Sequence, residues 1–134
     1  MVPRDAYTLP QLSKALDVQY RTLHSWVERD LLQPGVQRST GTGTRNLFSA
    51  QDAVMAGILV ELRAAGVNFD LLEQAAERLR DTDGALCREA FMLVNGDVKI
   101  VFDRGKAAAA LARGGLTLAY NTGDVLARFG SNFN

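Results

Sequence analysis

Between Tyr7 and Phe48 the chain reads YTLPQLSKALDVQYRTLHSWVERDLLQPGVQRSTGTGTRNLF, and its apolar residues change phase within that span. Leu9, Leu12, Ala15 and Leu16 share one face at helical spacing. Asp17 and Val18 break the period after roughly two turns. A second period follows, with Leu23, Trp26, Val27 and Leu31 inward and Tyr20, Arg21, His24, Ser25 and Glu28 outward. Thr8 is placed to cap the first helix, and Pro10 falls in its first turn, where a missing N–H costs nothing. Past Leu32 the helical period stops. Pro34-Gly35 marks a turn and Gly41-Thr42-Gly43-Thr44 a flexible tip. Two short helices, a tight turn and a Gly/Thr-rich hairpin, in that order, predict a helix-turn-helix with a wing. That device sets its second helix in a DNA major groove. The outward face suits the task, because Arg, Tyr, His and Ser at i, i+3 and i+4 bond phosphates and base edges. An amphipathic helical hairpin with no nucleic-acid role has the same periodicity, so spacing alone leaves both readings open.

The residue order carries a resemblance. Tyr7-Thr8, Leu12, Val18, Arg21-Thr22-Leu23, Leu31-Leu32, Pro34, Gly43, Arg45, Phe48-Ser49 and Asp52 together resemble the DNA-binding domain of MerR-type regulators. Leu62-Arg63-Ala64-Ala65-Gly66-Val67 looks like that family's L-R-x-x-G-[VF] helix end, so the likeness covers residues 6–80. There are departures. Asp17 and Asp30 stand where many members have Gly, and Asp is among the few residues that tolerate the left-handed conformation both turns need. His24-Ser25-Trp26 replaces the family's Arg-Tyr-Tyr, which keeps an aromatic for packing at Trp26 but removes a cation and a phenol from the DNA face. Arg45 precedes Phe48 by three residues, where the family's Arg usually precedes its Tyr by two. The resemblance implies double-stranded DNA as partner and a two-fold homodimer. The expected contacts are Arg21, Thr22 and His24 in the major groove, with Tyr20 and Ser25 at its margin. Arg38 and Arg45 are expected on phosphates, with hydroxyls from Thr42 and Thr44.

The charge balance bears on affinity. The 134-residue chain has 15 Lys and Arg against 15 Asp and Glu, a formal net charge of zero that is unusual for a lone DNA-binding module. Residues 31–50 hold Arg38 and Arg45 and no acid, whereas residues 70–83 hold Asp70, Glu73, Glu77, Asp81 and Asp83 against Arg78 and Arg80. Basic character therefore sits on the wing. A neutral chain binds DNA weakly as a monomer and gains affinity by pairing. Cys87 and His24 are the only residues of their kinds, which excludes a disulfide within one chain and a Cys/His metal cluster. Cys87 is read as a small hydrophobe. No nucleophile with a base can be assembled, and the Gly/Thr tip lacks the lysine and following helix of a P-loop. Neither an enzyme nor a cofactor is expected. The N-terminal MVPRDAY has no apolar run, no stretch approaches bilayer-spanning length, and the cytoplasm is the expected compartment.

The rest of the chain divides near residue 84. Ser49 and Asp52 have capping spacing at the start of a long helix with Val54, Ile58, Leu62 and Ala65 inward and Gly66 at its end. Asn68 caps another, with Leu72, Ala75, Ala76 and Leu79 on its apolar side, which stops at Asp81-Thr82-Asp83-Gly84. At about 20 Å it is too short for the antiparallel coiled coil typical of MerR-type dimers. Residues 85–134 predict a small ββαβα unit, making the whole α+β. Phe91–Val94 and Val98–Phe102 read as strands around Asn95-Gly96, a strong hairpin signal. Arg104–Arg113 reads as an Ala-rich helix, Leu116–Tyr120 as a third strand, and Thr122 as the cap of a last helix through Phe129. So small a unit is marginal alone. Its sheet is expected to pair two copies, to dock a partner protein, or to complete the core of residues 1–84. Its element order loosely resembles tails that follow MerR-like domains in antitoxins of the VapBC type. The leading expectation is a sequence-specific transcriptional regulator. The alternative is an antitoxin or other protein-interaction module that also touches DNA.

Overall fold

The computed structural model describes residues 6–38, 45–81, 91–94, 96–101, 103–113 and 118–121. Its first two helices begin and end where local chemistry directs. Strand β1 (Tyr7–Thr8) leads into α1 (Leu9–Leu16), and α2 (Tyr20–Glu28) follows. The Thr8 hydroxyl accepts from Gln11 N–H at 3.4 Å while Gln11 Oε1 accepts from Thr8 N–H at 2.8 Å, a reciprocal cap that satisfies two orphan donors. Asp17 and Asp30 both adopt the left-handed conformation, with φ of 53° and 58°. Around them the chain closes α1 through Val18 N–H to Ser13 O and Asp17 N–H to Lys14 O, and α2 through Leu31 N–H to Trp26 O and Asp30 N–H to Val27 O. These are Schellman closures with Asp in the place usually taken by Gly.

Helix α3 (Ala50–Ala64) is the central element. The expected stripe of Val54, Ile58 and Leu62 is buried, but so are Ala53, Met55, Ala56 and Leu59. Ala65, expected inward, is instead exposed. It caps the helix just before Gly66 (φ 95°). The Ser49–Asp52 cap forms in both directions. Asp52 Oδ2 also accepts from Gly35 N–H at 2.8 Å, which ties the Pro34-Gly35 turn to the start of α3. The approach is close: a Cβ at Gly35 would lie 2.6 Å from that oxygen. The chain then bridges Gln37 to Leu47, and β2 (Leu47–Phe48) pairs antiparallel with β1, Tyr7 opposite Phe48 and Thr8 opposite Leu47. The tip residues Thr42 and Thr44 lie outside the described residues.

Helix α4 (Phe69–Asp81) starts on Asn68, whose Oδ1 accepts from Leu71 N–H. Beyond it come β3 (Phe91–Val94), β4 (Val98–Val101), α5 (Arg104–Ala112) and β5 (Leu118–Asn121). The antiparallel sheet has the order β4-β3-β5. Val94 pairs with Val98, which leaves residues 95–97 as the connection, as the expected strand bounds do. Gly96 takes φ 76°, a left-handed value that glycine adopts at no steric cost. The described part of the third strand reaches Asn121, one residue past its expected end. Cys87, Phe102, Leu116, Thr122, the expected last helix and the expected boundary near residue 84 lie outside the described residues. Met92, Val94 and Val98 are buried in one cluster with Leu72 and Leu79 of α4 and with the core of α1 to α3. Arg78 Nε donates to Val98 O at 3.2 Å across the same contact. Helix α5 buries only Ala107 and leaves Leu111 49% exposed.

Candidate nucleic-acid interface

The amphipathic split of α2 sets the site. Leu23, Trp26 and Val27 are buried. Tyr20, Arg21, His24, Ser25 and Glu28 are exposed and Thr22 is half-buried. Tyr20 and His24 stand one turn apart with ring centroids 5.8 Å apart and planes inclined by 31°. One turn further, Glu28 Oε1 lies 3.5 Å from His24 Nδ1.

The β1–β2 pairing brings the segment before β2 to this face. A groove runs between the start of α1, the outward face of α2 and the segment before β2, lined by Thr8, Leu9, Pro10, Tyr20, His24, Arg45 and Asn46. Gln37 Nε2 donates to Arg45 O at 2.8 Å and holds that segment in place. The arrangement offers a guanidinium, an imidazole and a phenol along one channel, which suits a phosphate backbone beside base edges. Of the residues expected from sequence, Tyr20, His24 and Arg45 meet here. Arg21, Thr22 and Ser25 lie on the same helix but do not line the groove. Arg38 is placed elsewhere, 3.6 Å from Asp30 Oδ1 just past the C-terminal end of α2, with both side chains more than half exposed. Thr8, Pro10 and Asn46 were not expected at the site. Their place depends on a strand pairing that two-residue strands do not announce.

Other charges are drawn away from the groove. Arg29 and Arg63 both approach the ring of Phe69, at 4.3 and 4.5 Å from its centroid. Glu73 and Glu77 line a separate depression with Arg29, Asp30, Leu31, Ala76 and Arg80. Among the described residues no group of three or more His, Cys, Asp and Glu could hold a metal ion. None of the described helices is long and apolar enough to cross a membrane.

Residues 7–79, more than half of the chain, match the family of MerR HTH family regulatory proteins. The chain belongs to the MerR family. The matched stretch runs from β1 through most of α4 and leaves the β3–β5 sheet outside it. Three relatives are uncharacterized HTH-type transcriptional regulators, one from Mycobacterium bovis and two from strains of Mycobacterium tuberculosis. Each is 26% identical to this MerR-family chain over 74 residues, which is 55% of this chain and 33% of the relative. The similarity thus spans about a third of the length of these relatives.

Proposed function

We propose that this protein is a sequence-specific DNA-binding transcriptional regulator of MerR type. Helix α2 enters the major groove, and the segment from Leu32 to Phe48 acts as a wing on the flanking backbone. The observation that carries this reading is the groove in which Tyr20 and His24 of α2 meet Arg45 beside the N-terminus of α1. In this reading Arg21, Thr22 and His24 contact base edges, and Tyr20 and Ser25 sit at the margin. Arg38 and Arg45 hold phosphates, and Thr42 and Thr44 add hydroxyls at the tip. With a net charge of zero, one copy has little electrostatic attraction to DNA, and a homodimer reading two half-sites supplies the missing affinity. The described part of helix α4 covers 13 residues to Asp81, and a helix that stops at Asp81-Thr82-Asp83-Gly84, as the sequence suggests, is too short for a full coiled coil. The dimer contact is therefore assigned to residues 85–134, where exposed Leu111 on α5 offers an apolar surface. The DNA partner places the protein in the cytoplasm of a bacterial cell.

The two wing arginines should respond differently to mutation. Arg45→Ala and Arg38→Ala are each expected to weaken binding to all DNA sequences alike and to lower the salt slope by ~1 per lost phosphate contact. The loss should be larger for Arg45, because Arg38 has Asp30 as a competing partner. Affinity measured across a salt series checks this. A change of base preference with an unchanged salt slope would show that these residues read bases.

A further inference from the structure

We propose that Glu28 is a positioning residue for DNA reading: it holds the Nδ1 edge of His24, so that Nε2 faces the DNA as an acceptor for an exocyclic base amine. The inference rests on α2 being the helix that enters the major groove. His24 Nδ1 lies 3.5 Å from Glu28 Oε1, one helical turn on. An ionised carboxylate only accepts, so the nitrogen turned towards it carries the proton. In neutral imidazole the other nitrogen is then bare and can only accept. Tyr20 stands against the ring from the preceding turn, so the imidazole is flanked on both sides along the helix. The groove it lines contributes one cationic group, Arg45, beside Thr8, Tyr20 and Asn46. Arg45 is a pure donor suited to phosphate; His24 differs from the hydroxyls and the amide, which can both donate and accept, in that a bare Nε2 only accepts.

In the major groove an acceptor complements N6–H of adenine or N4–H of cytosine and opposes O6 and N7 of guanine and O4 of thymine. His24 should therefore favour A or C over G or T at one position of the contacted strand. The family's arginine at this place, a fixed donor, would favour the opposite set. The structure thus gives a physical meaning to a departure that the sequence shows only as a lost cation.

Glu28 also places a negative charge near DNA, and its removal raises affinity for any duplex. The test separates the two effects. The full chain and its Glu28→Ala, Glu28→Gln, His24→Ala and Arg21→Ala variants are compared in one buffer. The probe is a duplex library in which every base pair of the selected site is varied. The unaltered protein should prefer A or C at one position by a factor on the order of ten. Glu28→Ala and His24→Ala should lose that preference. Glu28→Gln should keep part of it, because its amide oxygen can still accept from Nδ1–H while its NH2 can instead donate to that nitrogen, and overall affinity should rise as in Glu28→Ala. Arg21→Ala should lose selectivity at a different position. A uniform rise in affinity for both Glu28 variants, with every preference intact, would overturn the proposal, as would a preference for G at the position that His24→Ala affects. If neither His24→Ala nor Arg21→Ala alters any preference, α2 is not the reading helix and the proposed function falls with the inference.

Discussion

Trp26→Ala is expected to lower the stability of the chain by about 3–5 kcal/mol. Trp26 is 3% exposed, in one cluster with Leu12, Leu16, Leu23, Leu31 and Leu32. It lies where α1, α2 and the turn after α2 converge, and its carbonyl accepts from Leu31 and Leu32 N–H. Truncation leaves those backbone bonds possible but opens a cavity that three segments cannot close together. Small domains are stable by only about 5–15 kcal/mol, so the variant should melt far below the unaltered protein. Trp26 is the only tryptophan, and the measurement therefore follows far-UV circular dichroism in urea. An unchanged midpoint with loss of DNA binding would move Trp26 from the core to a base-stacking role.

Met92→Ala is expected to cost about 2–5 kcal/mol and to destabilise the DNA-binding half together with the sheet. Cross-strand register pairs Met92 with Ile100 and Val94 with Val98. Met92 and Val98 are fully buried, in one cluster with Leu72 and Leu79 of α4. Stripping the sheet would expose that face of α4, which is itself packed on α3. Of the roles expected for residues 85–134, this packing supports completion of the core, and pairing of two copies is left to other surfaces such as α5. Calorimetry on the full chain should show one unfolding transition, lowered as a whole by Met92→Ala. Two separate transitions, with only the later segment shifted by the mutation, would contradict the shared core.

What the sequence made legible was local. Thr8, Asp17, Asp30, the Ser49–Asp52 pair, Gly66 and Asn68 each act on backbone groups within a few residues, so the helix ends could be read along the chain. The outward face of α2 followed from its period in the same way. Contacts between distant residues had no such signal. Asp52 reaches Gly35 across 17 positions, and β1 and β2 are too short for a period of two to show. Arg38 and Arg45 read alike as basic hairpin residues, and only the pairing of β1 with β2 sets one beside Tyr20 and leaves the other beside Asp30. In α3 the stripe of Val54, Ile58 and Leu62 was read as one inward face, although Ala53, Met55, Ala56 and Leu59 make the helix apolar nearly all round, the mark of a buried helix. The strands flanking residues 95–97 were also legible, because each is a short apolar run beside a strong turn signal, and they are observed at Phe91–Val94 and Val98–Val101.

The central claim is that α2 reads base edges. Its most direct test is the affinity of Arg21→Ala for a duplex selected from random DNA by the unaltered protein, beside its affinity for unrelated DNA. Arg21 is exposed on the outward face of α2, and a bidentate base contact from it is worth ~1–3 kcal/mol. Arg21→Ala should lose affinity by that amount on the selected duplex and by much less on unrelated DNA. Unchanged affinity for the selected duplex, with circular dichroism showing the fold intact, would contradict it.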